Sequence, residues 1–166
     1  MVDSVLGGRV DRLAEQIAEL AGRSRRSVAV AESLTGGQLG AALSAAPDSG
    51  SWFHGGVIAY HPEVKYTLLG APRGPVVTHE TATAMAESTL RHLLADVAVA
   101  VTGVGGPEPD EGKPAGTVVL AISGGDAPTR TEEFVFDGEP IDVMRQTVEA
   151  ALEAIIDRLG SAPTEA

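Results

Sequence analysis

The chain has 166 residues, enough for one domain with a sizeable core. Its 12 basic and 23 acidic residues leave a net charge of −11, which argues against broad electrostatic binding to nucleic acid or anionic membranes. There is no cysteine, which removes disulfides, thiolate metal ligands and thiol catalysis and fits a reducing cytoplasm.

An apolar fraction of 43% with only 4% aromatic residues assigns most of the packing to aliphatic side chains and alanine. No apolar run is long enough to span a membrane. Met1 to Gly8 lacks the basic-then-apolar pattern of a signal peptide, and the tail Gly160 to Ala166 is expected to fray.

Val10, Leu13, Ile17 and Leu20 recur at helical spacing and predict a helix over 9–22. A polar connector leads to a strand over 27–31, and a second helix is expected from Gly36 to about Ala45. Pro47-Asp48-Ser49-Gly50 reads as a turn, and Gly56 to Tyr60 as a second strand. Pro62 suits the first turn of a short helix over 62–69. Thr78 can cap a helix running to about Ala95, with Glu80 favourable in its first turn. Val97 to Thr102 reads as a strand buried on both faces, followed by the glycine loop Gly103 to Pro107 and a polar, mobile segment, Glu108 to Pro114. Strands over 116–122 and 131–136 form a hairpin around Gly124-Gly125-Asp126, and a last helix runs from Pro140 to about Leu159. Interleaved strands and helices predict a single three-layer α/β/α sandwich with a mixed central sheet of about five to six strands and an ordered core over about 9–159.

In open sheets of this kind ligands collect at the C-terminal ends of strands, and Glu32-Ser33, Tyr60 and Thr102 each fall at one. Ser33 reads either as a helix cap or as a nucleophile. The Thr35-Gly36-Gly37 that follows favours the second, because N–H groups around Gly36 and Gly37 could form an oxyanion site. Its base is open at this level. His54, His61, His79 and His92 are the histidine candidates, none with an acidic partner in an obvious motif. Lys65, with Tyr60, is the alternative: a lysine shielded from water loses its proton more easily. A surface ion pair with Glu63 or another carboxylate would be the inert role for Lys65, with Tyr60 capping the sheet edge. The loop through Gly103, Gly105 and Gly106 matches neither the dinucleotide nor the phosphate-loop pattern, and is either a tight turn or a substrate wall. Arg145 is either solvated or an anion ligand. The histidines and carboxylates do not take metal-ligand spacing, so no metal site is expected.

Four ordered segments together resemble the CinA C-terminal domain family, that is, the nicotinamide-nucleotide amidohydrolase (nicotinamide mononucleotide deamidase, PncC) family. They are Ala31-Glu32-Ser33-Leu34-Thr35-Gly36-Gly37, Gly55 to Tyr60 with Lys65, Ala100 to Pro107, and Lys113-Pro114-Ala115-Gly116-Thr117-Val118. The similarity runs over about 10–158. It implies hydrolysis of the carboxamide of nicotinamide mononucleotide to nicotinic acid mononucleotide and ammonia, in pyridine nucleotide salvage. It also implies a homo-oligomer and no cofactor. By the same resemblance Ser33 is the nucleophile, Lys65 and Tyr60 activate it, and Thr102 and Arg145 line the pocket. Glu32, Thr35, Gly36, Gly37, Gly103, Gly105 and Gly106 complete the expected substrate-binding set, with the phosphate against a helix N-terminus or Arg145. The chain departs from the family pattern at Leu34, where a cysteine is usual, at His61, and in the short acidic loop 108–113. Many relatives carry a fused N-terminal domain resembling molybdopterin-binding proteins, and no chemistry of that domain is expected from these residues. The alternative reading is a non-catalytic nucleotide-binding or competence- and DNA-damage-associated regulatory module.

Overall fold

The computed structural model describes residues 6–161; the start of the chain and most of the tail expected to fray lie outside them. Eleven elements follow in chain order among the described residues: α1 (Gly8–Ser24), β1 (Val28–Glu32), α2 (Gln38–Ser44), α3 (Ser49–Trp52), β2 (Phe53–Ile58), α4 (Pro62–Thr67), α5 (His79–His92), β3 (Val97–Gly103), β4 (Thr117–Gly124), β5 (Ala127–Val135) and α6 (Pro140–Gly160). The five strands form one sheet in the order β2-β1-β3-β4-β5. The first three are parallel and the last two join antiparallel, so the sheet is mixed as expected.

Helices cover both faces, and the sequence of the central strands explains how. β1 and β3 alternate valine with alanine. Val28, Val30, Val97, Val99 and Val101 pack in the larger core with residues of α1, α2 and α6. Ala31 and Ala100 point the other way, into a second core with Ala82, Met85 and Ala86 of α5. Alternation of side chains about the pleat puts each type on its own face.

Several boundaries differ from those expected. Helix α2 begins at Gln38 rather than Gly36, because Gly36 and Gly37 sit at φ +55° and +102°, outside helical space. The expected turn at 47–50 leads into the short helix α3, whose Trp52 indole donates to the Pro47 carbonyl at 3.0 Å. Strand β2 lies at 53–58, so Tyr60 falls just beyond it. Strand β5 starts at Ala127, four residues before the expected Thr131; Gly125 and Asp126, both at positive φ, make the tight hairpin turn. Arg158 of α6 donates to the carbonyls of Ile122, Gly124, Ala127 and Pro128 and so clasps this hairpin to the last helix.

The segment Glu108 to Pro114 is a closed turn rather than a mobile loop. Asp110 and Lys113 exchange backbone hydrogen bonds of 3.1 and 2.8 Å, and Lys113 Nζ reaches Glu133 of β5 at 3.2 Å. Gly116 just beyond it lies at φ +91°, where an added Cβ would stand 1.9 Å from the Phe136 carbonyl oxygen. Gly116→Ala is expected to destabilise the protein by about 2–4 kcal/mol, from strain plus collision. Gly112→Ala, at φ +72° with open space around it, costs only the strain. Urea midpoints for the two variants measure the difference.

Candidate active site

Strand β1 lies between β2 and β3. The chain leaving β1 turns toward one face, that leaving β2 toward the other, and a crevice opens above their C-terminal ends. A cleft of about 560 Å³ occupies it, a volume suited to a small molecule. Ser33, Tyr60, Lys65, Thr102, Gly103, Gly105 and Gly106 all line it, so the expected convergence of three distant segments holds.

Ser33 is buried against the cleft floor, its carbonyl accepting the Gly36 N–H at 3.0 Å. Among the described residues its hydroxyl has no protein partner. Lys65 is 2% exposed, and among the described residues the one hydrogen bond of its side chain runs from Nζ to the Tyr60 carbonyl at 3.2 Å. Helix α4 brings it there: Pro62 opens the helix, His61 Nδ1 accepts the Glu63 N–H at its start, and Lys65 is its one buried residue. Burial lowers the Lys65 pKa from the ordinary lysine value, an effect partly opposed by the charge of Glu111. The inert ion pair with Glu63 does not form, because Glu63 is taken by Arg73. Tyr60 contributes its backbone to this arrangement. Its side chain is 68% exposed at the cleft edge, and no hydrogen bond joins its phenol to Lys65.

Thr102 is buried, and its hydroxyl donates to the Val76 carbonyl at 2.9 Å, tying strand β3 to the cleft wall. Val104, just past the strand, is fixed by backbone bonds with Thr117 and Gly116. Of the two glycines after it Gly106 is the close-packed one: a side chain there, at φ +85°, would come within 3.1 Å of Ala115 Cβ. The amides of Leu34, Gly105 and Gly106, all cleft-lining residues, donate to no acceptor among the described residues.

Other expected binding residues are placed elsewhere. Glu32 is buried with its carboxylate turned back into the protein. It accepts from Thr35 Oγ1 at 2.6 Å, from the Gly37 and Leu39 amides at 3.2 and 2.9 Å, and from the Gly40 amide at 2.9 Å. Thr35, Gly36 and Gly37 therefore build the α2 entry and do not line the cleft. The amides of Gly36 and Gly37 cannot serve an oxyanion, since that of Gly36 is bonded to Ser33 and that of Gly37 to Glu32. A helix start already holding a carboxylate is also no phosphate site. Arg145 has a 40% exposed side chain paired with Asp142 and Glu149 at 3.8 and 3.3 Å; its neighbour Met144 lines the cleft instead.

None of the four histidines lines the cleft. His54 and His79 are engaged with the Leu93 carbonyl and Thr131, and His61 caps α4. No group of three or more histidines and carboxylates is set to hold a metal among the described residues. Sequence reasoning missed the acidic wall, Glu108 and Asp110, and the valine wall, Val76 and Val77. The first was visible as two charges directly after the glycine loop; the second carried no signal beyond a buried pair after Gly74-Pro75.

A mixed-sheet α/β domain with a small-molecule cleft at its parallel strand ends is the class these features define. The sequence profile of the CinA C-terminal domain matches residues 10–159, and the chain belongs to that family. It is 43% identical over 157 residues to a CinA-like protein of Parasynechococcus marenigrum, covering 90% of this chain and 37% of that one. Among solved structures, competence damage-inducible protein A of Klebsiella pneumoniae superposes with a TM-score of 0.87 at 31% identity, covering 92% of this chain and 98% of that chain. A CinA superfamily protein of Enterobacter cloacae gives 0.86 at 31% identity, with 90% and 92% covered. The chain spans about a third of the length of the curated relatives it matches.

Replacing Glu32 by alanine removes four hydrogen bonds from a buried helix start. The expected loss is about 2–4 kcal/mol in chemical denaturation.

Proposed function

We propose that the protein is a serine amidohydrolase acting on the carboxamide of nicotinamide mononucleotide. The single observation that carries the reading is the pairing, in one cleft, of a hydroxyl without a protein partner with a buried lysine whose proton affinity is depressed. The substrate itself comes from the family resemblance. The acidic wall of Glu108 and Asp110 supports it, since it suits the positive pyridinium ring of that nucleotide.

In this mechanism neutral Lys65 takes the Ser33 proton as Oγ attacks the carboxamide carbon. The Tyr60 carbonyl orients the amine. The unpaired amides of the cleft, at Leu34, Gly105 and Gly106, are the donors available to the developing oxyanion. Lys65 then delivers its proton to the departing ammonia, leaving an acyl-serine. Water deprotonated by the same amine releases nicotinic acid mononucleotide and restores Ser33.

Ammonia release from the mononucleotide is the direct assay. Ser33→Ala is expected to abolish it. Lys65→Met, which keeps the buried stem, should lower kcat/KM by about 10²–10⁴. Wild-type rates in both variants would refute the assignment, and tight nucleotide binding with no turnover by the wild type would favour a binding module instead.

The pH profile follows from the direction of the Lys65 shift. The active form is the neutral amine, so kcat/KM rises with pH and levels off above the Lys65 pKa, which lies below the ordinary value of about 10.4. In the interval between the folded and unfolded values the unfolded chain binds more protons, so Lys65 also makes stability rise with pH there. A rate that falls across that range would point to a different base.

A further inference from the structure

Glu111 does not line the cleft, yet its carboxylate is built into the cleft wall. Oε1 accepts the Val76 N–H at 2.8 Å and Oε2 accepts the Val77 N–H at 2.9 Å. Both valines are buried and line the cleft, and the Val76 carbonyl is already taken by Thr102. The 76–77 segment is therefore held from two sides, by β3 and by the turn after the glycine loop.

The turn is shaped to aim that carboxylate. Asp110 and Lys113 close it through their backbones, and Asp110 Oδ1 accepts the Glu111 N–H at 2.8 Å. Glu111 sits at φ +52°, an uncommon conformation for a residue with a side chain. Asp110 and the preceding residues back to Gly103 line the cleft, so one carboxylate couples the acidic wall to the valine wall.

We propose that Glu111 is a positioning residue: by holding the Val76 and Val77 amides it locks both walls of the cleft in place around Lys65, and it sets a negative charge there that offsets part of the burial of the amine. Its effect on rate rests on the reading of Lys65 as the base; its effect on the walls does not. The other titratable groups lining the cleft with Lys65 are Tyr60, Glu108 and Asp110. They are unchanged in every variant below and cancel in the comparison.

The chain has only two lysines, Lys65 and Lys113. Protein labelled with ¹³C at lysine Cε therefore gives two lysine signals, and Lys113→Arg assigns them. Two readouts are taken on the unreacted full chain: the titration midpoint of Lys65 and the hydrogen exchange of the Val76 and Val77 amides. In Glu111→Gln the midpoint is expected to move further down and the two amides to exchange about tenfold faster or more. Glu111→Asp, which keeps the charge on a shorter arm, should return the midpoint toward wild type while exchange stays fast. In the ammonia assay Glu111→Gln should raise KM and shift the rising limb of kcat/KM to lower pH. Either direct readout left at its wild-type value in Glu111→Gln overturns the proposal. Because both are read without turnover, a protein that releases no ammonia sinks the amidase reading and leaves this test standing.

Discussion

The Glu32 carboxylate ends β1 surrounded by donors from the next turn of chain: the Thr35 hydroxyl and the amides of Gly37, Leu39 and Gly40. A buried charge is tolerable only when so satisfied, and the donors exist only if the chain doubles back immediately after the strand. The two positive-φ glycines make that reversal. Gly40 must also stay small, since a Cβ there would lie 3.3 Å from Glu32 Oε2. Helix α2, seven residues long, is too short to stand by itself and starts on this carboxylate. Ser33 is caught between the strand and the turn, and its exposure to the cleft follows from how Glu32 is held.

Lys65 shows the opposite use of burial. It too is enclosed, but it has one carbonyl for company instead of four donors or acceptors. Desolvation is the largest influence on it, and Glu111 offsets only part. The short helix that carries it gains its hold from Leu69, which sits in the smaller core with Val77 and Met85. The two ionisable groups that flank Ser33 thus divide the work: a fully satisfied carboxylate fixes the backbone, and an under-satisfied amine has its affinity for protons lowered.

The fold was legible because its three central strands, β1, β3 and β4, are short apolar runs and its long helices carry apolar stripes. The gathering of Ser33, Tyr60, Lys65 and Thr102 was legible because strand ends in such sheets face one side. Within that frame, orientation was not. Glu32 and Thr35 sit in the right segment, but whether a side chain faces the cleft or the α2 entry depends on a turn that propensities do not specify. Strand β2 was placed late because Gly55 and Gly56 erase the alternation that marks a strand. Arg145 was offered as an anion ligand on its residue type, and its neighbours one helical turn away claim it. Glu111 grips amides more than thirty positions earlier, a pairing that local sequence does not announce.

The valine and alanine rows of β1 and β3 set opposite size limits on the two sides of one layer. Trimming a valine leaves a hole beneath α1 and α6, whereas enlarging an alanine wedges α5 off the sheet. Neighbouring positions about 3.3 Å apart along the same strand therefore accept opposite kinds of replacement. A homologue that swapped the two rows in phase would need its flanking helices exchanged as well.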